Sequence, residues 1–259
     1  MVEFLAGYNI ITIGILASLA AGLATGVGAI PIFFTKDIHK KVLDTSLGFA
    51  AGVMLAATSF SLIIPAIEKG GGGIKGATIA LFGILAGGGF LDLVDKFFPD
   101  TNLLSNSTDE DTNLRKVWLF ALAITIHNFP EGLAVGVGFG DGDILNGLGL
   151  AIAIGLQNIP EGLAVAIPFV KEKMEVWKAF IIALASGLVE PIGGLLGVGL
   201  IQISRPVLPF ALAFAAGAML FVISNEIIPE SQKNSTSSLS THAILIGFVI
   251  MMFLDNVLG

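Results

Sequence analysis

Phe49-Ala50-Ala51-Gly52-Val53-Met54-Leu55 is a run of uncharged residues, and Phe214-Ala215-Ala216-Gly217-Ala218-Met219-Leu220 repeats it. Six of the seven positions are identical, at an offset of 165 residues. Each copy sits in the middle of a longer apolar stretch. A helix needs about 20 mostly apolar residues to cross the hydrocarbon of a bilayer, so each copy predicts one membrane span. Strands of a β-barrel would be about half as long and would alternate in polarity.

Working outward from these two stretches gives eight spans, at 8–34, 42–67, 74–97, 117–140, 144–170, 176–203, 207–229 and 240–258. The expected fold class is therefore an all-α membrane protein. The composition of the 259 residues agrees: 54% are hydrophobic, 13% are charged, and the mean hydropathy is +0.90. A soluble surface needs about 25% charge. The 33 glycines fit closely approaching membrane helices. There is no cysteine, so neither disulfides nor thiolate ligands are available. A net charge of −7 argues against a nucleic-acid partner. The start, Met1-Val2-Glu3-Phe4, lacks a basic region before its apolar stretch, so no cleaved signal peptide is expected.

Lys and Arg divide unequally between the two sides. Ten fall on one side: Lys36, Lys40, Lys41, Lys96, Arg115, Lys116, Lys171, Lys173, Lys178 and Lys233. Lys69, Lys75 and Arg205 fall on the other. The side with ten is expected to be cytoplasmic, with both termini extracytoplasmic in a multi-pass protein of the cell membrane. The longest connector, 99–116, carries Asp109-Glu110-Asp111 and reads as a solvated loop, with weak metal collection as the minority reading.

The offset of 165 also pairs Leu19, Gly22, Leu23 and Gly28 with Leu184, Gly187, Leu188 and Gly193. Phe90-Leu91-Asp92 matches Phe253-Leu254-Asp255 with a small slip of register. Spans 1–3 thus resemble spans 6–8. Five spans separate each pair, so the copies run in opposite directions. The expectation is a 3+2+3 inverted repeat within one transmembrane transporter domain, a common plan among secondary transporters. Its parts are repeat 1 at 8–98, a central pair at 115–170 and repeat 2 at 176–259.

The central pair has its own echo. Span 4 reads His127-Asn128-Phe129-Pro130-Glu131-Gly132-Leu133-Ala134-Val135, and span 5 reads Gln157-Asn158-Ile159-Pro160-Glu161-Gly162-Leu163-Ala164-Val165. Both motifs fall near the bilayer midplane. A carboxylate there is costly and marks function by default. His127 and Glu131 are four residues apart and share a helix face, as do Gln157 and Glu161. Asn128 and Asn158 stand on the adjoining edge. Two such faces turned together offer imidazole, carboxylate and amide ligands, a set that suits a divalent transition metal. Pro130 and Pro160 lack an N–H, so both helices should bend or loosen there and free the carbonyls of Ile126 and Leu156. Glu190 is a further mid-span acid, just before Pro191. Met54, followed by Thr58 and Ser61 at helical spacing, reads on sequence alone as packing. Glu226 reads either as a second functional acid or as a helix-end residue near the cytoplasm. Asp92, Asp95 and Asp255 read as mouth residues or as solvated helix ends, and His39 and His242 as solvated.

The two His/Gln-Asn-x-Pro-Glu-Gly motifs, with eight spans and outside termini, resemble the ZIP (Zrt/Irt-like) metal-ion transporters along essentially the whole chain. Gln157 in place of a His resembles the GufA-like branch. The resemblance implies a binuclear site. One metal would take Met54, His127, Glu131, Gln157 and Glu161. The other would take Asn128, Glu131, Asn158, Glu161 and Glu190, the two glutamates bridging. It further implies Glu226 as a cytoplasmic release ligand and an elevator-like motion of spans 1, 4, 5 and 6 against spans 2, 3, 7 and 8. Some GufA-like relatives carry Asp where Asn158 stands, so here three carboxylates, Glu131, Glu161 and Glu190, would face a formal +4 if two ions bound. The connector after span 3 lacks the His-rich stretch of many relatives.

The expected function is uptake of a divalent metal into the cytoplasm, Zn²⁺ before Fe²⁺, Cd²⁺ or Mn²⁺, with the metal as cargo and no cofactor. The partners expected are the metal ion and the lipid bilayer. An intramembrane metalloprotease would want His-Glu-x-x-His, which occurs nowhere, so no enzyme is expected. A proton-coupled carrier of another solute is the remaining rival. Small residues at Gly22/Gly26 and Gly132/Gly136 fit packing within one protomer or between two, which keeps a homodimer open.

Overall fold

A computed structural model describes residues 7–35, 39–97, 110–233 and 238–258. Among them every regular element is helical. Eight helices are long and apolar enough to cross a membrane: Ile10–Phe33, Lys40–Lys69, Gly73–Val94, Phe120–Phe139, Ile144–Lys171, Val176–Ile203, Arg205–Gln232 and Leu239–Val257. These are spans 1 to 8. Helix is the form that lets an apolar chain satisfy its backbone within lipid. Polar residues start two of them. Asn9 Oδ1 accepts from Ile11 N at 2.8 Å, and Asp143 Oδ1 accepts from Asn146 N at 3.2 Å. The turn from span 2 to span 3 runs through Gly71, Gly72 and Gly73 at φ of 101°, 65° and 50°, a region that costs glycine little.

Three local readings change. The helix of span 4 starts at Glu110, so the second half of the 99–116 connector is helical rather than a loop. Acids suit a helix's first turn, where the partial charge is positive. Residues 98–109, including Asp109, lie outside the described residues. Second, the helices of spans 4 and 5 run unbroken through Pro130 and Pro160. The irregular backbone lies elsewhere. Span 6 is split, Val176–Gly187 ending before Glu190–Ile203 begins. Spans 2 and 7 each open into a wide π-type turn, at Thr58–Ile63 and Ile223–Ile227. Each π turn leads into a proline, Pro65 or Pro229, in the first turn of the next helical piece.

The π turns begin 165 residues apart, the same offset as the sequence match. The packing shows the same recurrence. Span 2 lies along span 8 and span 7 along span 3, while span 1 lies along span 5 and span 6 along span 4. A Cβ on Gly132 would strike the Glu190 carbonyl, and one on Gly162 would strike the carbonyl of Thr25. Gly28 is pressed against the Ile159 carbonyl and Gly193 against that of Phe129. Gly22 and Gly187 each meet the other's carbonyl. Spans 1 and 6 are each 39% buried, 2 and 7 67%, 4 and 5 61%, 3 and 8 22%. Third, the Phe-Leu-Asp match is out of register with this packing. Gly87 meets the Phe214 carbonyl as Gly247 meets that of Phe49, which equates spans 3 and 8 at an offset of 160. Phe90 and Phe253 are both exposed, on the outer, lipid-type surface. Their likeness reflects a shared apolar alphabet rather than shared contacts.

Gly22 and Gly26 pack on Gly187 and Leu184, and Gly132 and Gly136 on Glu190 and Gly194. Both small-residue patterns are thus used inside one protomer. Substituting Gly52, pressed against the Ile244 carbonyl, should therefore lower stability. Gly52→Ala is expected to cost about 1–3 kcal/mol in thermal unfolding in detergent. Gly89→Ala, with nothing nearby, should leave the melting temperature unchanged or raise it.

Candidate metal centre

Spans 4 and 5 bring their two motifs together at the centre of the bundle. His127, Asn128, Glu131, Gln157, Asn158, Glu161 and Glu190 are all buried, none more than 2% exposed. The glycine after each central glutamate explains the placement. Gly132 lets span 4 lie directly on span 6, and Gly162 lets span 5 lie on span 1. Glu131 and Glu161 are thereby enclosed by protein instead of facing lipid. The break at Leu188–Val189 sets Glu190 in the first turn of a new helix.

Amide side chains of span 5 tie the acids. Gln157 Nε2 donates to Glu131 Oε1 at 2.6 Å, and Asn158 Nδ2 donates to Glu190 Oε1 at 2.6 Å and to the Ala21 carbonyl at 2.8 Å. Glu131 lies within electrostatic range of Glu161 and Glu190, and Glu161 within range of Glu226. Glu226 is carried by the π turn of span 7, and its Oε1 lies 2.9 Å from His127 Nε2. The pair is close enough to attract when the imidazole is protonated, although the angle is not that of a hydrogen bond. Met54 is fully buried in the apolar core, one residue turn before the π segment of span 2. Among the described residues no three His, Cys, Asp or Glu side chains are arranged to hold a metal by themselves. The amides occupy one oxygen each of Glu131 and Glu190, and the imidazole lies against Glu226 of span 7.

Buried polar atoms without partners are rare in folded proteins. Ten occur among the described residues, and they cluster. Nine belong to His127, Asn128, Glu131, Gln157, Asn158, Glu161 and Glu190, seven residues singled out from the sequence. The tenth is Thr25 Oγ1, which was not. The signal for it was present, since Thr25 stands 165 residues before Glu190.

The outlying acids separate. Asp255 accepts from Ser61 Oγ and lines a polar cleft of about 590 Å³ together with Glu68, Lys69 and Asp143. Lys69 Nζ bridges this rim, 2.5 Å from Asp141 and 3.6 Å from Asp143. Asp92 is an exposed helix-end acid paired with Lys96. The side chain of Asp95 is outside the described set. His39 and His242 are exposed.

The sequence profile described as ZIP Zinc transporter matches residues 100–255. The chain is 42% identical to the zinc transporter GufA of Myxococcus xanthus over 251 residues, 95% of this chain and 99% of the relative. The chain belongs to the ZIP family. That is a family of transporters rather than enzymes, which removes the metalloprotease rival. Zinc transporter ZIPB of Bordetella bronchiseptica is 39% identical, covering 100% of this chain and 86% of its own. Zinc transporter ZupT of Clostridium perfringens is 35% identical, covering 94% and 95%. The profile match includes all the site residues of spans 4 to 7, and the full-length relatives take in Met54 as well.

Removing the amide donor should expose the cost of the buried acids. Gln157→Leu leaves Glu131 Oε1 without its partner. The chelator-treated protein is expected to lose about 1–3 kcal/mol in thermal unfolding.

Proposed function

We propose that this protein carries zinc across the cell membrane into the cytoplasm. The observation that carries the reading is the cluster of unpartnered polar atoms, drawn from two antiparallel His/Gln-Asn-x-Pro-Glu-Gly motifs and Glu190. The zinc transporter names of full-length relatives support the choice of metal.

The ligands proposed for one ion are Met54, His127, Glu131, Gln157 and Glu161. Those for a second are Asn128, Glu131, Asn158, Glu161 and Glu190. Gln157 Oε1 and Asn158 Oδ1 have no partner, while their nitrogens hold Glu131 and Glu190. A half-turn of each amide presents oxygen to the cation and releases a carboxylate oxygen in the same movement. The bound and unbound arrangements then differ by local rotations. Mixed amide, carboxylate and thioether ligands are weaker than the closed Cys/His cages of structural zinc, which suits cargo that must leave. The acidic cleft beside Asp255 and Glu68 serves as the outer approach, and Glu226, already beside His127, receives the ion on the inner side.

The recurring contacts support the 3+2+3 inverted repeat, in which spans 1, 4, 5 and 6 carry the site against spans 2, 3, 7 and 8. The excess of Lys and Arg on one side supports extracytoplasmic termini.

Zinc uptake into proteoliposomes tests the proposal. Wild type should show saturable uptake, and Glu131→Ala should reduce it to the level of empty vesicles. Equal flux in the two would end the metal-site reading. Zinc and protons compete for the same ligands, so zinc affinity should fall as pH drops from 7 to 5. Titration calorimetry in detergent at both pH values reads this directly.

A further inference from the structure

Thr25 sits in span 1 and is 1% exposed, and its hydroxyl has no hydrogen-bond partner. A threonine in a helix ordinarily bonds the carbonyl four residues back. Thr78 and Thr125 do so here, as do Ser18 and Ser59. For Thr25 that carbonyl belongs to Ala21, which instead accepts from Asn158 Nδ2 at 2.8 Å. The same Asn158 nitrogen holds Glu190. The Thr25 hydroxyl is therefore freed by a residue of the polar site.

Its surroundings mirror those of Glu190. The Glu190 carbonyl abuts Gly132, next to Glu131, and the Thr25 carbonyl abuts Gly162, next to Glu161. At the crossing of spans 1 and 6, a Cβ on Gly22 would lie 3.4 Å from Glu190 Oε1, and one on Gly187 would lie 2.7 Å from Thr25 Oγ1. The two residues are 165 positions apart. The place that holds a carboxylate in one half thus holds a neutral hydroxyl in the other.

We propose that Thr25 is a further cation-binding residue of the zinc path, its hydroxyl supplying a neutral oxygen to the cation opposite Glu190. This rests on the transport reading above. The hydroxyl adds a donor without adding a fourth carboxylate to Glu131, Glu161 and Glu190. Zinc is gripped by one more oxygen and is still released.

The test compares zinc uptake in proteoliposomes by wild type, Glu131→Ala, Thr25→Val, Thr25→Ala and Thr25→Ser. Thr25→Val keeps the shape and loses the oxygen. It is expected to raise the zinc KM about fivefold, the effect of one lost polar contact, with the maximal rate unchanged and the metal-free melting temperature unchanged or raised. Thr25→Ala should behave alike, and Thr25→Ser should restore the wild-type KM. Wild-type KM in Thr25→Val and Thr25→Ala, with Glu131→Ala inactive, would overturn the role of Thr25 and leave zinc transport standing. Full activity in Glu131→Ala would overturn both. Failure of Thr25→Val and Thr25→Ala to fold, with Thr25→Ser intact, would assign the hydroxyl to stability and overturn the inference.

Discussion

Four helices meet at the centre of this protein with no side chain between their backbones. Gly132 touches Glu190 and Gly162 touches Thr25, while Gly22 and Gly187 touch each other. Between membrane helices there is no hydrophobic force to draw them together, so close van der Waals fit has to do it. That fit fixes everything nearby. A glycine placed directly after a glutamate pulls its helix onto a neighbour, and the preceding carboxylate is carried into the bundle along with it. The location of the acids follows from where the smallest residues stand.

Enclosing the acids creates the second constraint. Three buried glutamates lie close together, two of them answered by the amides of Gln157 and Asn158. Hydrogen bonds cover one oxygen of Glu131 and one of Glu190, and leave Glu131 Oε2, Glu190 Oε2 and Glu161 Oε1 bare. A core built for stability alone would not keep them, since apolar residues of similar volume do at least as well. The proposed metal site accounts for the expense, and the family to which the chain belongs is one of transporters.

Much of this could be read in the sequence, and the reasons are physical. Eight spans are legible because lipid imposes one length and one polarity on every crossing. The central motifs are legible because ionisable residues stand out against an apolar background. The prolines leave both helices continuous, for a helix supported by neighbours can run through Pro130 and Pro160 without breaking. The π turns of spans 2 and 7 left no mark that periodicity could detect. The match of Phe90 with Phe253 lies three residues out of register with the glycine contacts of spans 3 and 8, and both side chains face outward. Thr25 went unnoticed for the opposite reason. A threonine is ordinary in a membrane helix, and only the occupied Ala21 carbonyl makes this one unusual.

The helices sort into two sets by their most extensive contacts, spans 1, 4, 5 and 6 in one and spans 2, 3, 7 and 8 in the other. The Lys69 bridge to Asp141 and Asp143 joins the sets at the rim, and the His127–Glu226 contact joins them deeper in the bundle. Charges at a rim are screened by salt and re-solvated as they part, so their separation costs little. At the inner contact the imidazole is buried and only the Glu226 side keeps some exposure, so less of its cost is recovered by solvation. Lys69 therefore ties the two sets at a contact that is cheap to open, and the histidine ties them at a costlier one.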